Sequence, residues 1–200
     1  MHKYRSQLKV VNRLFRDVDG YNIAETDDGR VASQRAAVYG ELTPRGVQRL
    51  LSYLQLTEDD VFYDLGSGVG KVVLQVGMAV PVRKCVGIEM VQSRCRAAQR
   101  VLRAAQSEGL IQSNRTLFRK GSFLDSNLSD ATVIYLCSTC YSSHLMKMIV
   151  RKIKEIKKPL TVVTLREFDR KHRGFQFLRT IKLDASWSAN VEAYVYKILP

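Results

Sequence analysis

Apolar and polar positions follow two different patterns along this sequence of 200 residues. Apolar residues spaced three and four apart predict helices over residues 44–56, 69–80, 91–107 and 144–157. Short apolar runs predict seven strands, over residues 61–65, 85–89, 116–118, 132–136, 160–165, 175–183 and 191–199. Strands and helices take turns up to residue 165, which is typical of a doubly wound parallel sheet. No helix separates the last two strands, so we expect them to pair as an antiparallel hairpin.

The first 19 residues also show a helical spacing of apolar positions, at Leu8, Val11, Leu14, Phe15 and Val18. Residues 1–16 contain five basic side chains and no acidic one, a composition that resembles a mitochondrial presequence. A helix that docks on the rest of the protein is the interpretation that we favour. We therefore divide the chain into an N-terminal helix with a connecting loop, residues 1–37, and a main domain, residues 38–200.

The composition excludes several classes of protein. Hydrophobic residues make up 46% and charged residues 26% of the chain, which indicates a globular domain and not a disordered one. No apolar run reaches the ~18–20 residues of a transmembrane helix. Four cysteines are too few for a disulfide scaffold, and with no signal peptide we expect a reducing compartment.

The charge is strongly positive and unevenly distributed. The formal net charge is +13, with none in residues 1–60, +5 in residues 61–135 and +8 in residues 136–200. Two basic clusters lie in the last part: Arg151, Lys152, Lys154, Lys157 and Lys158, and then Arg166, Arg170, Lys171 and Arg173. Such a bias suggests a polyanionic partner such as nucleic acid, although a solvated basic face would look the same.

The strongest chemical signal is a glycine-rich turn between a predicted strand and a predicted helix. Residues 64–70 read Asp-Leu-Gly-Ser-Gly-Val-Gly. Glycines at such a turn allow close approach of a ligand to the backbone and leave helix N-terminal N–H groups available. The spacing differs from the Gly-x-Gly-x-x-Gly of dinucleotide sites, and Asp64 would repel a pyrophosphate but suit the ammonium group of a methionine moiety. Together with the closing hairpin, the turn predicts an α/β, Rossmann-like class I S-adenosylmethionine methyltransferase with a mostly parallel seven-stranded sheet.

Further candidate residues follow the later strands. Glu89 ends the second strand, where a carboxylate can accept hydrogen bonds from both ribose hydroxyls of an adenosine cofactor. Ser122 and Phe123 follow the third strand, where Phe123 could stack on adenine or simply belong to the core. Cys137 and Cys140 have the spacing of half a zinc site, but the other two cysteines do not complete it, so we expect no metal.

Several segments together resemble one protein family. They are Val-Tyr-Gly-Glu at 38–41, residues 62–76 around the glycine turn, Gly-Ile-Glu at 87–89, residues 121–124, Ser186-Trp187 and Tyr194. They look like the disruptor-of-telomeric-silencing (DOT-type, non-SET) family of histone-lysine N-methyltransferases. The resemblance implies that residues 38–200 are the methyltransferase catalytic domain, that S-adenosylmethionine is the cofactor, and that the partner is a histone or nucleosome, contacted in the nucleus.

The resemblance also implies two sets of site residues. The resemblance implies that the cofactor is bound by Tyr39, Glu41, Thr43, Asp64, Gly66, Glu89 and Phe123, and we add as candidates for the same site Ser67, Gly68, Lys71, Ser122 and Cys137. A channel for the substrate lysine would be lined by the candidate catalytic residues Tyr141, Trp187 and Tyr194. Such a channel favours the neutral amine by desolvation and aims it at the methyl group.

The segment after the fourth strand departs from the family's pattern. The family's Asn-Asn-Phe-x-Phe aligns with Cys-Ser-Thr-Cys-Tyr at 137–141, which lacks the asparagine amide and one aromatic ring. Two alternatives to a histone methyltransferase therefore stay open. One is a methyltransferase of a non-histone protein or of RNA, located in the cytoplasm or mitochondria, and the other is a catalytically impaired chromatin-binding module.

Overall fold

Residues 2–21, 39–112, 114–168 and 172–200 are described by the computed structural model. Within these residues, seven strands form one sheet in the order β3-β2-β1-β4-β5-β7-β6. The strands are β1 Val61–Leu65, β2 Lys84–Glu89, β3 Thr116–Lys120, β4 Val133–Leu136, β5 Leu160–Thr164, β6 Phe175–Ala185 and β7 Ser188–Ile198. The first five strands run parallel, and β7 pairs antiparallel with both β5 and β6. The predicted mostly parallel sheet with an antiparallel C-terminal hairpin is confirmed.

The helices cover the two faces of the sheet unequally. They are α1 His2–Leu14, α2 Pro44–Leu54, α3 Lys71–Ala79, α4 Gln92–Ser107 and α5 Ser143–Lys154. Apolar residues of α1 to α4 pack in one core cluster with strand residues such as Phe62 and Val133. Residues of α5 pack in a second cluster on the opposite face with Tyr63 and Ile134. Because successive strand residues point to opposite faces, neighbouring positions of one buried strand belong to different clusters.

Local chemistry explains where several helices begin. Pro44 opens α2, and the side chain of Thr43 caps it by accepting a hydrogen bond from the Gly46 N–H. Ser142 caps α5 in the same way. We predicted that the third helix would start at residue 69, but it starts at Lys71 because Gly70 adopts a left-handed conformation with φ of 91°.

The amphipathic N-terminal helix docks on the domain. Val11 and Phe15 are buried in the first core cluster, and Arg13 forms an ion pair with Glu108 beyond the end of α4. The predicted connecting loop lies mostly in residues 22–38, outside the described residues. Over the described ranges, every helix falls short of the length and hydrophobicity that a membrane span requires.

Candidate active site

The glycine-rich turn joins β1 to α3 at the carboxyl edge of the sheet. The N–H groups of Gly66 and Ser67 both donate to the carbonyl oxygen of Ile88, at 2.8 and 3.0 Å, which ties the turn to β2. Gly66 has φ of +86°, and a Cβ atom there would collide with the Tyr141 hydroxyl. A Cβ on Gly68 would lie 2.6 Å from the Tyr39 ring. Close approach of two tyrosines therefore adds to the conformational reason for glycine in this turn.

Asp64 lies at the centre of the site. Its side chain is 2% exposed, and its Oδ1 atom has no hydrogen-bond partner. Burial, together with the nearby Glu89 carboxylate, raises the pKa of Asp64 to about 8. An unpaired buried carboxyl is costly to maintain, so this group is arranged to meet a ligand that donates hydrogen bonds.

Glu89 is fixed beside the glycine turn. One carboxylate oxygen accepts from the Gly68 N–H at 2.8 Å and the other from the Val91 N–H at 2.7 Å. Burial raises the pKa of Glu89, while these N–H groups and the Arg94 guanidinium oppose the shift. Each oxygen keeps a further lone pair, so Glu89 can still accept hydrogen bonds from two hydroxyl groups.

A network of polar contacts around Tyr39 and Glu41 forms another side of the site. The Tyr39 hydroxyl donates to Glu41 at 2.6 Å, and Glu41 forms an ion pair with Lys71. The Arg94 guanidinium lies 4.5 Å from the centre of the Tyr39 ring, and Arg94 Nε donates to the Gly20 carbonyl at 2.8 Å. Burial and the Glu41 carboxylate raise the pKa of Tyr39, so its hydroxyl stays protonated.

The segment after β4 is held in place by Thr164 at the end of β5 and by Arg166, two residues further on. Ser138 Oγ and Thr164 Oγ1 lie 2.7 Å apart, and the Arg166 guanidinium donates to the Tyr141 carbonyl and to Ser143 Oγ. The Tyr141 hydroxyl donates to the Leu65 carbonyl at 3.0 Å, which brings this ring to the glycine turn. Arg166, which we assigned to the second basic cluster, is thus engaged within the protein.

The remaining cofactor candidates differ in their surroundings. Cys137 Sγ donates to the Gly40 carbonyl at 3.3 Å, and burial raises its pKa to about 12. Phe123 packs parallel to Tyr141 with ring centres 6.2 Å apart. The Ser122 hydroxyl accepts from the Leu124 N–H at 3.2 Å, and the Thr43 hydroxyl is used as the helix cap described above.

The three predicted channel residues are not joined by ring contacts. Tyr141 contacts Phe123, whereas Trp187 lies in the turn between β6 and β7 against Gly40 and is 44% exposed. Tyr194 lies on β7 opposite Thr164, and its hydroxyl donates to Glu192 at 3.3 Å. Their grouping in one channel stays a prediction.

One pocket gathers much of the predicted cofactor set. It is lined by Tyr39, Gly40, Glu41, Leu42, Asp64, Gly66, Ser67, Gly68, Lys71, Val72, Tyr135 and Cys137. Three buried side-chain atoms of the described residues lack a hydrogen-bond partner, and they are Asp64 Oδ1, Ser67 Oγ and Tyr135 Oη. All three belong to residues that line this pocket. The pocket therefore suits a ligand with several polar groups.

Sequence reasoning missed Tyr135 and Arg94, and it did not foresee that Arg166 would hold the segment after β4. Tyr135 lies in an otherwise apolar strand, two residues before Cys137 and therefore on the same face, and that polar hydroxyl was the available signal. Arg94 is almost fully buried on α4, which no local pattern indicates. Over the described ranges, no three His, Cys, Asp or Glu side chains cluster as metal ligands would.

Comparisons with known proteins match this sequence to one protein family. A family model described as "Histone methylation protein DOT1" matches residues 30–189. A "Protein-lysine N-methyltransferase" of Saccharolobus islandicus is 30% identical over 152 residues, which are 76% of this chain and 88% of that protein. An H3 lysine-79 specific histone-lysine N-methyltransferase of Aspergillus fumigatus is 30% identical over 179 residues, which are 82% of this chain. The chain spans 35% of that fungal enzyme and 8% of its Drosophila melanogaster counterpart.

Solved structures show the same architecture. An RNA methyltransferase from Salinibacter ruber in complex with S-adenosyl-L-homocysteine has a TM-score of 0.58 at 25% identity, covering 76% of this chain and 90% of that chain. A magnesium protoporphyrin IX methyltransferase from Synechocystis with bound S-adenosylmethionine has a TM-score of 0.57 at 15% identity, covering 97% of both chains. The fold is that of the class I methyltransferases.

Proposed function

Because the chain belongs to the DOT1 family of histone methylation proteins, we propose that it is a lysine N-methyltransferase that modifies a core histone, of the H3 type, in chromatin. The cofactor is S-adenosylmethionine, which is bound in a solved protein of the same fold. A chromatin substrate implies that the enzyme acts in the nucleus. The observation that carries the proposal is the set of unpaired buried polar atoms in one pocket beside the glycine turn.

The residues present fit this cofactor. The unpaired Asp64 carboxyl suits an ammonium group, and Glu89 has lone pairs for the two ribose hydroxyls. The Phe123 ring, partly buried beside Tyr141, offers an aromatic face for adenine. When bound, S-adenosylmethionine supplies an electrophilic methyl group to the acceptor amine and leaves as S-adenosylhomocysteine.

The protein's own part in the transfer is to keep competing groups neutral and to exclude water. Lysine amines have a pKa of about 10.4 in water, so the acceptor must lose a proton before it can attack. Burial beside Tyr141 would favour the neutral amine by desolvation. The raised pKa of Cys137, about 12, keeps its sulfur a thiol at physiological pH, so no thiolate competes with the lysine for the methyl group.

The basic surface next to this site differs from the one that the sequence suggested. Arg170 and Lys171 lie outside the described residues, and Arg166 is engaged as described above. The cluster from Arg151 to Lys158 lies at the end of α5 and before β5, so it is at the amino edge of the sheet, opposite the pocket.

Helix α4 offers a better-placed cationic surface. It contains four arginines and no acidic residue, and Arg96, Arg100 and Arg103 are exposed on one face. No ion pair with a described residue neutralises these three side chains. The helix begins three residues after Glu89, at the edge where the pocket opens, and exposed Lys120 is the β3 partner of Glu89. We assign contact with the phosphates of chromatin DNA to this arginine stripe, Arg96, Arg100 and Arg103.

One observation favours a second candidate substrate. The protein-lysine N-methyltransferase of Saccharolobus islandicus, whose name specifies no histone, is 30% identical to this chain, the same identity as the histone-directed enzyme of Aspergillus fumigatus. A lysine on a non-histone protein is therefore the alternative acceptor within the same chemistry.

The test is transfer of tritiated methyl groups from S-adenosylmethionine to nucleosomes, to free core histones and to RNA, followed by mass spectrometry of the labelled product. We expect methylated lysine on a histone, with more label on nucleosomes than on free histones. Label on lysine of a co-purifying protein alone would favour the second candidate. Label on RNA alone, or no transfer by protein that binds the cofactor, would contradict the proposal.

A further inference from the structure

The hydroxyl of Tyr135 is buried without a hydrogen bond to another described residue. The side chain is 1% exposed, and its Oη atom has no hydrogen-bond partner. The protein treats two other buried tyrosines differently. The Tyr63 hydroxyl donates to Asp130 at 2.8 Å and accepts from Lys84 at 3.2 Å, and the Tyr196 hydroxyl accepts from the Phe168 N–H at 3.1 Å. An unpaired buried hydroxyl lowers stability, so Tyr135 calls for an explanation outside folding.

The sheet places this hydroxyl beside Asp64. Tyr135 and Asp64 are directly paired residues of the parallel strands β4 and β1, so their side chains point to the same face of the sheet. Burial raises the pKa of Tyr135, as do the Cys137 thiol, which is only a weak hydrogen-bond acceptor beside the hydroxyl, and the Asp64 carboxyl group. The hydroxyl therefore stays protonated, and it can accept a hydrogen bond as well as donate one.

The Asp64 carboxyl and the Tyr135 hydroxyl together restrict the class of ligand that can bind between them. A primary ammonium has three N–H donors and no acceptor, so it can use a carboxylate and a hydroxyl at the same time. A cation favours the ionised form of Asp64 and is attracted to it, whereas an anion gains no such attraction and an apolar group would leave both oxygens unpaired. The pocket that both residues line also holds the glycine turn.

We propose that the Tyr135 hydroxyl is a cofactor-binding group that accepts a hydrogen bond from the α-ammonium of the methionine moiety, next to the Asp64 carboxyl group. This inference rests on the proposed function, because it takes S-adenosylmethionine as the ligand. It adds a neutral acceptor to the charged one and places it on the strand that leads into the methyl-transfer segment.

The experiment compares Tyr135→Phe with a matched control, Tyr63→Phe. Both residues are 1% exposed, but Tyr63 faces the other core cluster and its hydroxyl is paired. Calorimetry measures the affinity for S-adenosylmethionine and for 5′-methylthioadenosine, which shares the adenosine but lacks the amino-acid group. Thermal unfolding of the ligand-free variants measures stability.

We expect the two variants to change the melting temperature in opposite directions. Tyr135→Phe weakens S-adenosylmethionine binding by about 10- to 100-fold, as for loss of a hydrogen bond to a charged group, and leaves 5′-methylthioadenosine binding unchanged. It also raises the melting temperature by about 2 °C or more, because an unpaired hydroxyl has been removed. Tyr63→Phe lowers the melting temperature and leaves both affinities unchanged.

Three outcomes would overturn the inference and are distinguishable from failure of the proposed function. Equal affinity of Tyr135→Phe and the parent for S-adenosylmethionine would show that the hydroxyl does not contact the cofactor. Equal weakening of both ligands would assign Tyr135 to the adenosine or to the pocket shape. A fall in melting temperature as large as that of Tyr63→Phe would make the hydroxyl a structural group. A parent protein that binds neither ligand would instead contradict the proposed function.

Discussion

Gly66 and Gly109 differ in one physical respect that can be measured. Both have a left-handed backbone, with φ of +86° and +69°, but only Gly66 has an atom, the Tyr141 hydroxyl, where a Cβ would lie. Alanine at Gly109 should cost about 1–2 kcal/mol of the free energy of unfolding, from the backbone conformation alone. Alanine at Gly66 should cost more, because Tyr141 must also move, and it should abolish cofactor binding. Denaturant unfolding and calorimetry of the two variants check this.

Gly109→Ala is the control, since it lies far along the chain, at the end of α4. If both variants lost the same stability, the contact with Tyr141 would contribute nothing. If Gly66→Ala kept the parent's cofactor affinity, the turn would not be the cofactor site.

Asp64 makes stability depend on pH with a definite sign. Its pKa rises from 3.8 to about 8 on folding, so between these values the folded protein holds a proton that the unfolded chain has released. Stability therefore falls as pH rises through this range. Asp64→Asn has no titratable group at this position and therefore lacks this pH dependence. Its free energy of unfolding relative to the parent should be highest at pH 8 and decline towards pH 4. Urea unfolding of ligand-free protein at several pH values measures it, and pH-independent differences would refute the assignment.

At the scale of elements, α1 is an integral part of the core. Val11 of α1 is completely buried, and Phe15, which directly follows this helix, is 6% exposed, in the same cluster as residues of α2 to α4. Phe15→Ala should lower the free energy of unfolding by about 3–5 kcal/mol. Asn12→Ala on the exposed face of the same helix should change it by no more than about 0.5 kcal/mol. Chemical denaturation compares the two, and an equally small loss for Phe15→Ala would mean that α1 is only loosely attached.

The elements also show which features local sequence can predict. The bounds of β1 were predicted correctly, because five successive apolar or aspartate residues between a polar turn and a glycine leave few alternatives. β3 extends two residues beyond the prediction, to Lys120, because backbone pairing with β2 continues there whatever the side chains are. The glycine turn is one contiguous stretch of residues, so it could be recognised from the sequence alone. The pairing of Tyr135 with Asp64 joins residues far apart in sequence, so only the register of the sheet reveals it.

At the scale of the whole molecule, the net charge of +13 includes two exposed basic groups on opposite faces of the sheet, the arginine stripe along α4 and the cluster at the end of α5. Each phosphate contact contributes a slope of about −0.9 to the dependence of log affinity on log salt. Neutralising the arginine stripe with Arg96→Gln, Arg100→Gln and Arg103→Gln should weaken nucleosome binding and flatten this slope by up to ~3 units. Affinity for the cofactor should not change. Binding titrations at several salt concentrations measure both effects.

A variant with the same loss of charge provides the control. Arg151, Lys154 and Lys157 are exposed at the end of α5 on the other face of the sheet, and their replacement by Gln should change the slope much less. Equal slopes for the two triple variants would show that only net charge matters and that the arginine stripe is no specific contact.

The turn between β6 and β7 has a spectroscopic consequence. Trp187 is the only tryptophan of the chain, and its ring rests on Gly40, between the two residues Tyr39 and Glu41 that line the pocket. At 44% exposed, it is partly in water and partly against the protein, a position in which indole emission responds to small changes of environment. The unlabelled protein therefore carries its own fluorophore at the rim of the site. Selective excitation of Trp187 gives a binding signal for cofactor or substrate that comes from one known place in the molecule.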